Sequence, residues 1–177
     1  MHRTRINISL SDFGIRKAVD ALKDYDRQLQ NKCAMFVDKM AEVGIATAKL
    51  NCGDYGNVIT FSKQLSVGEH GANGKLIAVG TPVFRRRGGE TIEADPLLLA
   101  EFGSGWNAKV LDKVDGVGQG TFPGQTHAFD PRGWWYVDEH GESHHSYGES
   151  PTFPMHSAAI AMLFDINRVA KEVFGNG

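Results

Sequence analysis

The stretch Pro96-Leu97-Leu98-Leu99-Ala100-Glu101-Phe102-Gly103-Ser104-Gly105 is answered far downstream by Pro151-Thr152-Phe153-Pro154-Met155-His156-Ser157-Ala158-Ala159. The first piece is a short apolar run that closes on a Glu-Phe-Gly turn and reads as a strand over residues 97–102. The second is a Pro-aromatic-Pro segment opening a final Ala-rich helix. The expectation is that the two pieces bracket one sheet and pack together.

Working outward, 177 residues suffice for one domain, 1–177, that buries roughly two-thirds of its unfolded surface without disulfides or a structural metal. A hydrophobic fraction of 41% and 19 basic against 21 acidic residues set the chain apart from proteins that wrap nucleic acid through bulk positive charge. Cys33 and Cys52 have no second pair to complete a zinc site or a disulfide framework, and read as reduced, buried thiols. The basic amino terminus gives way to Ser9, Ser11 and Asp12 rather than to an apolar signal core, and no apolar run approaches the roughly 18 residues of a membrane span.

Residues 6–10 alternate as a short strand would, after which Ser11 or Asp12 offers a helix cap. Ile15, Val19, Leu22, Leu29, Cys33, Phe36, Met40, Val43, Thr47 and Leu50 then recur at spacings of three and four. The polar cluster 23–27 bends this long amino-terminal helix or splits it in two, and Gly53 is a natural stop. Residues 57–67 and 75–79 read as a hairpin whose loop is 68–74, and Trp134 to Val137 as a further strand. A long loop or insertion fills 103–133, and an amphipathic helix runs from about His156 to Phe174. The fold class is α+β: a small antiparallel β-sheet packed by the amino-terminal and carboxy-terminal helices.

Catalytic patterns are weak. His140, His144 and His145, with His127 and His156, are the residues a metal-dependent hydrolase would use, but no His-Glu-x-x-His string occurs and Gly141 points to a solvated loop. Gly116-x-Gly118-x-Gly120 precedes Phe122-Pro123-Gly124 rather than a helix, so it is no phosphate cradle. Ser104 lacks the full nucleophile-elbow string. The reading assigns no catalytic residue, cofactor or metal.

Two features suit an interface instead. Arg85, Arg86 and Arg87, followed by two glycines, form a solvated hairpin tip that could meet acidic groups on a neighbour or line a DNA passage. In Trp134-Trp135-Tyr136, strand alternation sends Trp135 one way and its neighbours the other, so one face is left for a partner.

Ala100-Glu101-Phe102-Gly103-Ser104 and the segment from Pro151 to Ala159 resemble the Glu-Phe-Gly strand end and Pro-rich helix lead-in of the tail-completion or neck family of long-tailed bacteriophages, the head-tail joining components similar to minor tail protein Z. The resemblance implies a non-enzymatic virion protein, made in the host cytoplasm and assembled as a ring of about six copies at the head-tail junction. It implies as partners the head connector or adaptor, the stopper, and the tail terminator or tail tube, with nonspecific contact to DNA in the channel and no membrane. Arg85, Arg86, Arg87, Phe102, Trp134 and Trp135 are the interface residues expected on this reading. The competing readings are a metal-dependent hydrolase, such as a phage cell-wall enzyme, and a tail terminator or head-closure stopper.

Overall fold

Ser11 starts the fold: its side chain accepts a hydrogen bond from the Gly14 N–H at 3.2 Å and caps a helix, α1, spanning Asp12–Leu50. The computed structural model describes residues 11–69, 71–87, 90–107, 130–138 and 140–175. The strand expected at 6–10 and most of the expected loop, 108–129, lie outside them.

α1 is one unbroken helix of 39 residues, not two. The polar cluster does not split it because its charges are paired along the helix: Arg27 with Asp24 at 2.9 Å, and Gln30 donating to Asp26 at 3.0 Å. At its end the Asn51 side chain donates to the Thr47 carbonyl, and Gly53, with φ +55°, opens a 3-10 turn over Gly53–Tyr55. Cys52 is buried and its thiol is pushed up by burial, while Cys33 is half-buried; both are free thiols.

Among the described residues the strands form three separate antiparallel hairpins. β1 (Ile59–Gly68) pairs with β2 (Gly71–Gly80), and the ladder continues to Gly68↔Gly71, through the stretch read from sequence as loop. β3 (Val83–Arg87) pairs with β4 (Glu90–Ala94), a hairpin that hydrophobic patterning missed. β5 (Trp134–Val137) pairs with β6 (Ser143–Ser146).

The run at 97–102 is a helix, α2 (Pro96–Phe102), where the sequence suggested a strand. The Asp95 carboxylate accepts from the Leu97 N–H at 2.8 Å, Pro96 occupies the first turn, and Leu, Ala and Glu are strong helix formers. A short apolar run does not by itself separate the two outcomes.

α3 (Pro154–Phe174) lies antiparallel to α1. Met162 faces Gly44, Phe174 meets Phe36 with ring centroids 5.9 Å apart, and Glu172 pairs with Lys39 at 2.5 Å. Ala48, Cys52, Ile59, Phe61, Ala100 and Ala158 form the core where α1, α2, α3 and the first hairpin converge. The molecule is therefore α+β, with both helices of the sequence reading in place. Among the described residues no helix is long and apolar enough to cross a membrane.

The Lys39–Glu172 pair gives a first test. Its hydrogen bond holds the Glu172 carboxyl below the ordinary glutamate value near 4.5. A lowered folded value stabilises above the ordinary range, and that contribution is lost as pH falls through the lowered value. Glu172→Gln should be modestly less stable than the parent in urea at about pH 7, with the two midpoints converging as pH falls through and below the lowered Glu172 value.

Candidate functional site

The two segments that open the sequence reading meet through backbone and one carboxylate. α2 ends at Gly103, which adopts φ +69° and ψ −165° and turns the chain against the segment before α3. Ser104 N–H donates to the Glu149 carbonyl at 2.8 Å, Trp106 N–H to the Tyr147 carbonyl at 2.9 Å, and Thr152 N–H to the Ala100 carbonyl at 2.8 Å. The buried Ser104 hydroxyl accepts from the Glu149 N–H at 3.0 Å, which makes it a structural turn residue.

Glu101 completes the junction. It is buried, and its two oxygens accept from the Met155 and His156 N–H groups at 2.7 and 2.9 Å. A carboxylate thus meets the free amides and the positive dipole end of α3. The residue before this helix, Phe153, sits at φ 55°, unusual for a bulky side chain, and has no side-chain cap of its own. Sequence reading missed Glu101 as a cap because the residues it serves lie about 54 positions downstream.

Of the expected interface residues, Phe102 is half-buried at the end of α2. Trp134 is also half-buried and lays its ring against Gly105, where a Cβ would come within 2.6 Å of the indole. Trp134 therefore anchors the third hairpin to the segment after Glu-Phe-Gly. Trp135 points the other way and is 69% exposed, its ring 4.8 Å from His145, which in turn meets Tyr147 edge-on at 4.6 Å. Arg85, Arg86 and Arg87 belong to a different hairpin. They are paired strand residues, opposite Ile92, Thr91 and Glu90, rather than the tip itself.

His144 and His145 lie in β6, paired with β5, where the sequence reading expected a Gly-broken loop. β6 carries no apolar residue, so alternation could not reveal it. The three histidines do not converge. His144 stacks on Tyr136 at 5.4 Å and bonds Asp138 through Nε2 at 2.9 Å. His145 lies on the opposite face and contacts the Arg132 carbonyl through Nε2 at 2.8 Å. Asp138 also accepts from the His140 and Glu142 N–H groups, both at 2.9 Å. The bond from the Glu142 N–H, then that from His144, holds its carboxyl below the usual aspartate value.

Among the described residues, both long helices carry uncovered apolar side chains. α3 buries Ala158, Val169 and Val173 on one side, yet on the other exposes Ile160, Leu163 at 67% and Phe164 at 83%. Along α1 the apolar seam packs at Phe36, and Ala41, Gly44 and Ala48 are buried, but Ile15, Val19, Leu22 and Leu29 at one end and Leu50 at the other are exposed, as is Tyr25. A helix that is apolar on two faces is normally covered on both. In comparisons with known proteins, no family model matches the chain, and no curated protein or solved structure matches it either.

Proposed function

We propose that this chain is a structural virion protein that assembles as a ring at the head-tail junction of a long-tailed phage and has no catalytic role. The observation that carries the reading is the second apolar face of α3, Ile160, Leu163 and Phe164, on a helix whose other face already packs in the core. Uncovered surface of this kind marks an association site. Subunits of a closed ring meet through two different faces, and the exposed seam of α1 and the Trp135 ledge supply a second one. Trp134 serves by fixing the hairpin that presents Trp135, and Phe102 is a further interface residue of the proposal. Arg85, Arg86 and Arg87 supply positive charge for registration or for the DNA channel, and the partners are the connector or adaptor, the stopper, and the tail terminator or tail tube.

Electron microscopy of intact particles would give position and stoichiometry directly. Phe164→Lys and Trp135→Ala replace exposed residues, so each purified variant should keep the parent circular dichroism spectrum and unfold within about 1 kcal/mol of it. Each should nevertheless fail to join particles in a complementation assay. Normal incorporation of both variants would defeat the interface assignment.

A further inference from the structure

We propose that the turn joining β5 to β6 is a binding site for one divalent transition-metal ion, held by Asp138, Glu142 and His144. This inference does not depend on the ring reading. The ligand atoms of the three residues lie within 4.8 Å of one another, contributed by two carboxylates and one imidazole. Asp138 Oδ2 and His144 Nε2 are 2.9 Å apart. Two donors each about 2.1 Å from an ion subtend roughly 90° at it when separated by that distance, so the pair fits adjacent coordination positions without moving. Glu142 is exposed, and its carboxylate is within 4.8 Å of the other two ligand atoms, as a third oxygen.

The surroundings fix both half-buried ligands. Asp138 Oδ1 is held by the N–H groups of His140 and Glu142, which leaves Oδ2 directed at His144. The His144 ring is stacked on Tyr136, with planes 28° apart, which sets its orientation. Orientation of ligating groups by such neighbours is the usual support of a metal centre. One imidazole with two carboxylates is a mixed borderline-to-hard donor set, suited to Zn²⁺ or Mn²⁺, and the two carboxylates neutralise a dication. The ion would replace the His144–Asp138 hydrogen bond by two coordinate bonds and clamp the hairpin that displays Trp135.

The test is calorimetric titration of ZnCl2, and separately MnCl2, into the chelator-stripped full chain. One equivalent should bind in the micromolar range, and Zn²⁺ should raise the melting temperature. His144→Asn and Glu142→Gln should each weaken binding by about 10- to 100-fold, comparable to the loss when a metal site's supporting partner is removed. His140→Ala should bind as the parent does, since its side chain is not a ligand. Glu142 is exposed, so its variant reports on the site even if His144→Asn disturbs folding. The proposal is overturned if the parent chain shows no one-equivalent binding. It is equally overturned if both ligand variants bind like the parent, which would mean an adventitious ion only, captured elsewhere among the chain's seven histidines.

Discussion

Glu101→Ala should lower the unfolding free energy by about 4 kcal/mol, because it removes two hydrogen bonds from a buried carboxylate and leaves the amides it served without that acceptor. Each bond to a charged group is worth about 1.5–3 kcal/mol, and the loss of a negative group at the N-terminus of α3 adds a few tenths to this. For a domain of this size the change corresponds to a drop in melting temperature of roughly 10 °C. Glu101→Gln keeps the shape and one acceptor oxygen but turns an NH2 toward the second amide, so about half of the loss is expected. Urea unfolding gives the magnitude. Amide hydrogen exchange tests the cause, since the Met155 and His156 amides should lose protection out of proportion to the rest of α3. A loss below about 1 kcal/mol in Glu101→Ala would show that the cap is not what holds the helix in place.

That junction also marks how far the sequence alone could be read. The association of the Glu-Phe-Gly segment with the Pro-rich lead-in was legible, because a chain reversal at Gly103 and a fixed helix start at Pro154 have local signatures. The cap by Glu101 was not, since a contact across more than fifty residues leaves no trace in local pattern. The apolar periodicity of α1 announced a helix and its face. It could not say that this face is covered at Phe36 and bare through Ile15, Val19 and Leu22, because that coverage depends on where α3 ends. Likewise α2 offered two readings of one apolar run. Asp95-Pro96 held the deciding signal, a cap followed by a residue suited to the first helical turn.

The hairpins divide in the same way. β1, β2 and β5 carry β-branched or aromatic residues and were visible, whereas β3 holds three arginines and β6 reads Ser-His-His-Ser. Those two strands are paired in ladders with β4 and β5, and their own sequences carry no alternating apolar pattern. The segment holding Asp138, Glu142 and His144 drew notice in the sequence for its imidazoles and carboxylates but read as a solvated loop. Spacing places the residues four and two apart, but only the turn at Gly141, with φ +83°, brings the carboxylates to the imidazole.

Gly103→Ala should cost about 4 kcal/mol, and two separate terms decide this. The backbone conformation of Gly103, φ +69° with ψ −165°, is open almost only to glycine, and forcing a side chain into it costs about 1–3 kcal/mol. A Cβ would also stand 2.4 Å from the Glu149 carbonyl oxygen and 2.8 Å from Pro151 Cδ, backbone and ring atoms that cannot rotate away. Relief requires the strand-like pairing of Ser104 with Glu149 to open, and with it the seat of Trp134 against Gly105. Gly141→Ala separates the two terms: at φ +83° it carries backbone strain, but nothing lies within 4 Å of its Cβ, so about 1 kcal/mol is expected. Parallel urea melts of the two variants read the difference, which is the steric term. Tryptophan fluorescence should shift toward the exposed spectrum in Gly103→Ala alone, as Trp134 leaves its seat while α1 and α3 keep their circular dichroism. Equal destabilisation of the two variants would mean that the close approach of the Glu-Phe-Gly turn to Glu149 contributes nothing beyond backbone strain.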